Sequence, residues 1–375
     1  MKKLVIMQII PTLNEGGAER FVVDLSNSLV NKENVDLHLV VFFDIEERMF
    51  IAKDLDAKII VHTLGKKLGF DYRIIFKLNK LVRQIKPDVI NTHLASFEYN
   101  ILNLLTFKSK YFHTLHSDAT KECASARKRQ LRKHFYQRNQ VHPITISKES
   151  SNSYQKIYAL DNDLIIYNGR SPLERSGQFD AVKEEFDKNY RITAETKVIL
   201  NIGSIQGLKN QYALAKAVDE LTKQANDVVL LIVGGMRADG EEIYKNILNL
   251  NNSRIFLLGV KSNIQDYLLL SDIFCLSSSF EGMPISLIEA FSTKCLAACT
   301  PVGGIVNMIE DGISGLLAKN DSIEGLTDLL NKAINLPSKD KEEMTRRAYD
   351  RFEQSYSIDF CANQYLESYI RKINK

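Results

Sequence analysis

The chain has 375 residues, enough for two domains at roughly 150 residues each. Hydrophobic residues make up 45% and charged residues 25%, a balance that argues against disorder, collagen-like repeats and coiled coil. The net charge of +3 conceals an asymmetry: residues 1–175 hold 27 Lys and Arg against 19 Asp and Glu, whereas the remainder holds 22 against 27.

The first run, Leu4–Ile10, is short, apolar and β-branched, and reads as a buried strand. The leading MKKLVIMQIIPTL lacks a small-residue cleavage site, so a strand explains it better than a signal peptide. No run approaches the roughly 18–20 apolar residues that span a bilayer. Ala18–Leu29 repeats its apolar residues at helical spacing. Leu37–Phe43, Lys58–His62, Val89–Thr92, Tyr111–Leu115 and Ile144–Ser147 follow as strands, and the helical pattern Tyr72–Ile85 stops at Lys86-Pro87. The pattern then restarts with strands at Lys197–Ile202, Val228–Val233, Ile255–Leu258, Ile273–Leu276, Leu296–Ala298 and Gly315–Leu317, and Ile358–Ile373 closes the chain as a helix.

Repeated strand–helix–strand order predicts an α/β protein of two doubly wound, Rossmann-like domains, with parallel sheets covered on both faces and a ligand cleft between the domains. The expected division is an N-terminal domain over 1–168, a polar linker over 169–192, a C-terminal domain over 193–355, and a last helix over 356–375 that returns to the N-terminal domain. Five cysteines, an odd number without CxxC pairs, read as reduced thiols of a cytoplasmic protein.

The segment SDIFCLSSSFEGMPISLIEA at 271–290 carries the strongest chemical signal. A strand runs into a Ser-rich turn, then Glu281-Gly282-Met283-Pro284, with Pro284 suited to the first helical position. Glu289 follows about five residues into the helix, roughly 7.5 Å along its axis. Unpaired backbone N–H groups and the positive end of the helix dipole suit a diphosphate, and the flanking carboxylates suit sugar hydroxyls. Gly16-Gly17, after the first strand, lets backbone approach a phosphate or acceptor closely. It is not the GxGxxG fingerprint, which disfavours a dinucleotide-dependent dehydrogenase.

Taken with NEGGAER at Asn14–Arg20, HTLHS at His113–Ser117, NIGSIQGLKN at Asn201–Asn210 and PVGGIVNMIEDGISGLL at Pro301–Leu317, that segment resembles the retaining, nucleotide-sugar-dependent glycosyltransferases of family 4, with the GT-B fold. The resemblance implies transfer of a sugar, from UDP more than from GDP, to a hydroxyl of a glycan or lipid-linked acceptor, in bacterial surface polysaccharide synthesis. No cofactor beyond the nucleotide sugar and no metal is implied. His116 and Glu281 take the catalytic positions. Ser204, Lys209, Val260, Ser286, Leu287 and Glu289 fall at donor-binding positions, Gly17 at both donor and acceptor positions, and Gly16 at an acceptor position. Ser204 stands where the family commonly has an arginine on the diphosphate, and Arg170 or Arg237 is a candidate substitute. Whether His113 or His116 faces the site depends on where the strand ends, and the motif favours His116.

Residues 121–138 hold seven basic residues and one acid, with Leu131 and Phe135 a helical turn apart. This segment is a candidate contact with an anionic membrane, placing the protein peripherally on the inner face; a solvated helix face is the alternative. No nucleic-acid motif or stacking platform is evident. Two other functions stay open at this level: a sugar-nucleotide epimerase of the same architecture, and a non-catalytic glycan-binding partner of a glycosyltransferase.

Overall fold

The computed structural model describes residues 3–14, 16–44 and 51–374. The chain divides into two compact units. Unit 1 comprises Met1–Ser171 and Ser355–Lys375, and unit 2 comprises Pro172–Gln354.

Unit 1 is built on seven parallel strands: β1 (Leu4–Ile10), β2 (Val35–Val41), β3 (Ile60–Thr63), β4 (Val89–His93), β5 (Lys110–Leu115), β6 (Val141–Thr145) and β7 (Leu164–Ile165). They lie in the order β3-β2-β1-β4-β5-β6-β7. Apolar residues on the two sides of each strand feed two cores. Ile6, Ile10, Leu37 and Leu39 pack beneath the helices Gly17–Val30 and Ile358–Ile373, and Met7, Ile9, Val40 and Ile90 pack beneath Arg73–Ile85. The Ile358–Ile373 helix places Cys361, Ala362, Tyr365 and Tyr369 in the first of these cores. Arg170, at the end of unit 1's first segment, ion-pairs with buried Asp24, and Arg170 and Ile358 exchange backbone bonds with the Tyr356 carbonyl and Arg170 carbonyl.

Unit 2 has six parallel strands: β8 (Lys197–Ile202), β9 (Val228–Val233), β10 (Ile255–Gly259), β11 (Ile273–Leu276), β12 (Leu296–Cys299) and β13 (Leu316–Leu317). Their order is β10-β9-β8-β11-β12-β13. Its helix Phe179–Asn189 anchors through Phe186, which meets Tyr190 and Tyr267 edge-on or tilted.

Both sheets are doubly wound, as the strand–helix alternation predicts. In each, the order reverses at one point, between β1 and β4 in unit 1 and between β8 and β11 in unit 2. Connections leave such a point in opposite directions, so the carboxyl ends of those strands border a crevice in which ligands settle. Several boundaries differ from the sequence expectation by a single residue, and the larger departures are β2 at Val35–Val41, β3 at Ile60–Thr63 and β6 at Val141–Thr145 rather than 144–147; the helix after β11 starts at Ile285. Pro284 is the residue before that helix, with an extended ψ of 114°, not its first member.

Candidate functional site

In unit 2 the turn after β8 (Gly203–Lys209) and the turn after β11 (Ser277–Pro284) leave adjacent strands at the reversal point. The two turns are laced together. Ser277 Oγ donates to the Lys209 carbonyl at 2.8 Å, and the Ser279 N–H donates to the Leu208 carbonyl at 2.9 Å. At the centre, Lys209 Nζ sits 2.6 Å from Glu281 Oε1, and Ser278 Oγ donates to the same oxygen at 2.6 Å. The side chain of Glu281 is 9% exposed and that of Lys209 20%. A charge so enclosed must be paired or ligand-bound, because water no longer solvates it.

Two glycines make this arrangement possible. Gly303, in the PVGG turn, has φ +51°, and a Cβ there would lie 1.8 Å from the Glu281 carbonyl oxygen, which accepts from the Gly304 N–H at 3.1 Å. Gly234, after β9, has φ +153°, and a Cβ would come within 2.1 Å of the Gly203 carbonyl oxygen. Only glycine allows both backbones to close so tightly on the turns that carry Glu281 and Ser204.

The helix Ile285–Ser292 starts immediately after this turn. Its first turn carries Ser286, half-buried, and Leu287, fully buried; Glu289 follows, 4% exposed. The positive end of the helix dipole therefore points toward the turn holding Glu281. Ser204 is half-buried, and its Oγ accepts from Gln206 Nε2 at 3.1 Å. Val260 is 66% exposed after β10, against Gly235, so it is not a core residue. Of the two arginines considered as substitutes for the missing cation, Arg170 is ion-paired with Asp24 inside unit 1. Arg237 is exposed on the loop after β9, where its N–H donates to the Ile205 carbonyl at 3.0 Å, one residue from Ser204.

In unit 1, Gly16 precedes and Gly17 opens the helix after β1. β5 ends at Leu115, so His116 is the first residue beyond the strand and His113 lies within it. His113 is fully buried: Arg132 donates to its Nε2 at 3.1 Å, and its Nδ1 faces the Thr92 carbonyl at 3.0 Å. Arg132 in turn ion-pairs with Glu98 at 2.8 Å. This part of the basic segment is structural. Arg132 and Phe135 are buried, and of the expected Leu131/Phe135 pair only Leu131 reaches the surface.

His116 belongs to a polar chain running into the sheet. Its Nε2 is 2.9 Å from Nδ1 of His93, the last residue of β4, and His93 Nε2 is 2.8 Å from Gln8 Oε1 on β1. Gln8 Nε2 in turn donates to the Tyr369 hydroxyl at 3.4 Å. Burial holds His93 well below the ordinary 6.5 and brings His116 down to about 3, so both rings are neutral. The hydrogen-bond network assigns the tautomers. Gln8 is His93's closest partner, nearer than the Asn91 amide at 3.2 Å, and its oxygen takes the proton on His93 Nε2. His93 Nδ1 then accepts from His116 Nε2–H, which leaves a lone pair on His116 Nδ1. That Nδ1 is enclosed and lacks a hydrogen-bond partner among the described residues. An imidazole held this way accepts a hydroxyl proton or faces a developing positive charge.

Apart from Val260, which follows the edge strand β10, the expected residues lie in two places. Ser204, Lys209, Glu281, Ser286, Leu287 and Glu289 collect around the unit 2 reversal point, and Gly16, Gly17 and His116 follow β1 and β5 in unit 1. Sequence alone does not single out Ser278, Gly303 or Gln8, and marks His93 only as a histidine distant from His113 and His116, a weak hint of a metal site rather than of this chain of hydrogen bonds. Gly303 had a legible signal in its PVGG turn, whereas Gln8 sits in an apolar strand with nothing to mark it. Among the described residues no three His, Cys, Asp or Glu side chains gather as a metal-binding group.

Two doubly wound parallel sheets, each with glycine turns and polar side chains at its reversal point, define a two-domain α/β protein of GT-B architecture. Residues 15–171 match the family described as Glycosyltransferase Family 4, and residues 182–351 match Glycosyl transferases group 1. The chain belongs to the GT-B glycosyltransferases, with the family 4 pairing of these two parts. It is 25% identical to the capsular polysaccharide biosynthesis glycosyltransferase CapH of Staphylococcus aureus, over 98% of this chain and 99% of that one. It is 22% identical to the Escherichia coli UDP-Gal:α-D-GlcNAc-diphosphoundecaprenol α-1,3-galactosyltransferase, over 99% and 98% of the two chains. The crystal structure of Anabaena HepE in complex with UDP shares the fold, with a TM-score of 0.80 and 17% identity over 98% and 99% of the chains.

Proposed function

We propose that this glycosyltransferase moves a hexose from a UDP-sugar to a hydroxyl of a lipid-linked glycan, retaining the anomeric configuration, in bacterial surface polysaccharide assembly. The observation that carries the donor site is the enclosed Lys209–Glu281–Ser278 cluster beside the start of the Ile285–Ser292 helix. A carboxylate and an ammonium meeting there suit a ligand that is sugar at one end and diphosphate at the other. The diphosphate takes Lys209 from Glu281 and lies at the helix start against Ser286 and Leu287, with Ser204 donating a neutral hydrogen bond. Glu281, freed from Lys209, accepts from the sugar's hydroxyls, Glu289 holds the ribose diol, and Val260 meets the base through its backbone.

Charge grows on the departing diphosphate as the glycosidic bond breaks, so Lys209 acts most strongly in the transition state. His116 Nδ1, an unprotonated acceptor, serves the positive side of the reacting sugar. The acceptor lies against Gly16 and Gly17, and the leaving phosphate takes its proton. Neither a cofactor nor a metal enters this scheme. The UDP and undecaprenol-linked substrates in the Escherichia coli relative's name, and UDP in the HepE complex, support the choice of donor base and acceptor class. A lipid-linked acceptor sets the enzyme at the inner membrane face, with the basic 121–138 segment among the surfaces that meet it.

A thermal-shift screen of nucleotides and nucleotide sugars tests the donor site. A ligand at 100 times its dissociation constant stabilises by about 2.7 kcal/mol. UDP-sugars are expected to raise the melting temperature of the wild type and not of Glu289→Ala. No shift with any nucleotide would refute the reading.

A further inference from the structure

A second basic stretch lies in unit 1, outside the segment that sequence alone brought forward. Residues 65–86 hold seven Lys and Arg and a single acid, Asp71. Asp71 is buried and ion-paired with Arg73, so these two charges largely cancel and the other six Lys and Arg carry the excess. Where 121–138 exposes a single large apolar side chain, Leu131, this stretch displays four. Leu68 is 79% exposed, Phe70 68%, Tyr72 65% and Phe76 63%.

The helix Arg73–Ile85 turns Ile74, Leu78 and Val82 into the core. At 100° per residue, Tyr72 and Phe76 fall on the opposite side, one turn apart, with Arg73, Lys80 and Arg83 around them. An outward helix face is ordinarily polar, and single exposed apolar residues need no explanation, but four within nine residues form a patch that does. Phe70 is fixed from behind by stacking on Tyr99, ring centroids 5.3 Å apart, and the Asp71 N–H donates to the Tyr99 hydroxyl at 3.4 Å. The apolar side chains are therefore presented by an ordered turn.

We propose that Leu68, Phe70, Tyr72 and Phe76 insert at the boundary of an anionic lipid surface, with Lys67, Lys80 and Arg83 meeting the headgroups. Aromatic and aliphatic side chains ringed by Lys and Arg are the chemistry of interfacial binding, apolar atoms entering the acyl boundary while the charges stay at the phosphates. The excess of positive charge over this stretch, and over residues 1–175 as a whole, selects anionic lipid over a neutral surface or a second copy of the same basic face. This deepens the peripheral-membrane part of the proposed function and specifies the surface that makes the contact.

Flotation of the full chain with vesicles of phosphatidylcholine alone, or with 30 mol% phosphatidylglycerol as a chosen composition on the order of bacterial anionic content, tests it without any nucleotide. The wild type is expected to float with the anionic vesicles only, and less as salt rises. Tyr72→Ser/Phe76→Ser is expected to partition at least about tenfold more weakly, and Lys80→Ala and Arg83→Ala about fivefold each, with melting temperature and UDP-sugar shift unchanged. A triple Arg127→Ala/Lys128→Ala/Lys133→Ala variant is the comparator. The proposal is overturned if the wild type ignores anionic vesicles, if the aromatic variant floats as well as the wild type, if only the 127/128/133 variant loses binding, or if light scattering shows a dimer that Tyr72→Ser/Phe76→Ser abolishes. Vesicle binding without a UDP-sugar shift would sink the donor reading and leave this one standing.

Discussion

At the scale of single residues, Lys209 and Glu281 of the proposed donor site satisfy one another. Lys209→Met leaves Glu281 buried with Ser278 as its one side-chain donor among the described residues. It is expected to cost about 1–3 kcal/mol of stability as well as about 10²–10³ in kcat. Glu281→Gln keeps the shape and loses the charge, so it should hold its melting temperature far better while losing comparable activity; chemical denaturation and initial rates separate the two. His93 is expected to act as a positioning residue. His93→Phe removes the acceptor for His116 Nε2–H, frees the ring to reverse its tautomer, and should lower kcat about tenfold or more with a smaller change in donor KM. His93→Asn, which can still accept that proton, is expected to recover part of the rate. Equal losses in both variants would show that the residue only fills space.

At the scale of elements, glycine turns set the reach of the site. Gly303→Ala drives a Cβ into the Glu281 carbonyl and adds left-handed strain, so it is expected to destabilise by about 2–3 kcal/mol and to abolish turnover. Gly282→Ala, with nothing within 4 Å of its Cβ, should leave the melting temperature nearly unchanged. The elements themselves were largely legible: Leu4–Ile10, Lys197–Ile202, Val228–Val233, Ile273–Leu276 and Ile358–Ile373 coincide with their expected limits, because strong apolar runs end at unmistakable polar turns. Misplaced boundaries have local causes. β6 contains Pro143, which argues against a strand, yet β7 pairs with β6 only at Ile144 and Thr145, so the missing N–H falls where that side has no partner. The Leu131/Phe135 pair looked like an exposed face because helical spacing identifies a stripe without saying which way it turns. Exposed Tyr72 and Phe76 were hidden for the same reason, inside a pattern whose buried members are Ile74, Leu78 and Val82. The candidate site was legible where a motif names a side chain, as with Glu281 and Lys209, which the structure brings together, and illegible where tertiary pairing makes the contact, as with Gln8 and His93.

Across the whole molecule, buried neutral histidines couple folding to pH. His93 and His113 are completely buried and held well below 6.5 by that burial, the second also by Arg132. Above about pH 6.5 these rings are neutral in native and unfolded chains alike, and they leave stability independent of pH. Below it the unfolded chain binds protons that the native rings refuse, so stability falls as pH drops, by up to about 1.4 kcal/mol per unit for each ring. Urea unfolding at pH 7.5 and 5.5 is expected to show the loss, reduced in His93→Asn; a flat profile would mean the rings are not neutral in the folded protein. The charge asymmetry acts at the same scale. The excess of positive charge in residues 1–175 suits phosphate-rich surfaces, which the more acidic remainder of the chain does not favour.

The most direct measurement of the central claim is UDP release from a UDP-sugar in the presence of an undecaprenol-diphosphate-linked glycan, run on the wild type, Lys209→Met and Glu281→Gln. Sustained, acceptor-dependent release by the wild type, lowered about 10²-fold or more in both variants, is the expected result. Release that needs no acceptor, or that survives in either variant at the wild-type rate, would contradict a transfer reaction centred on that pair.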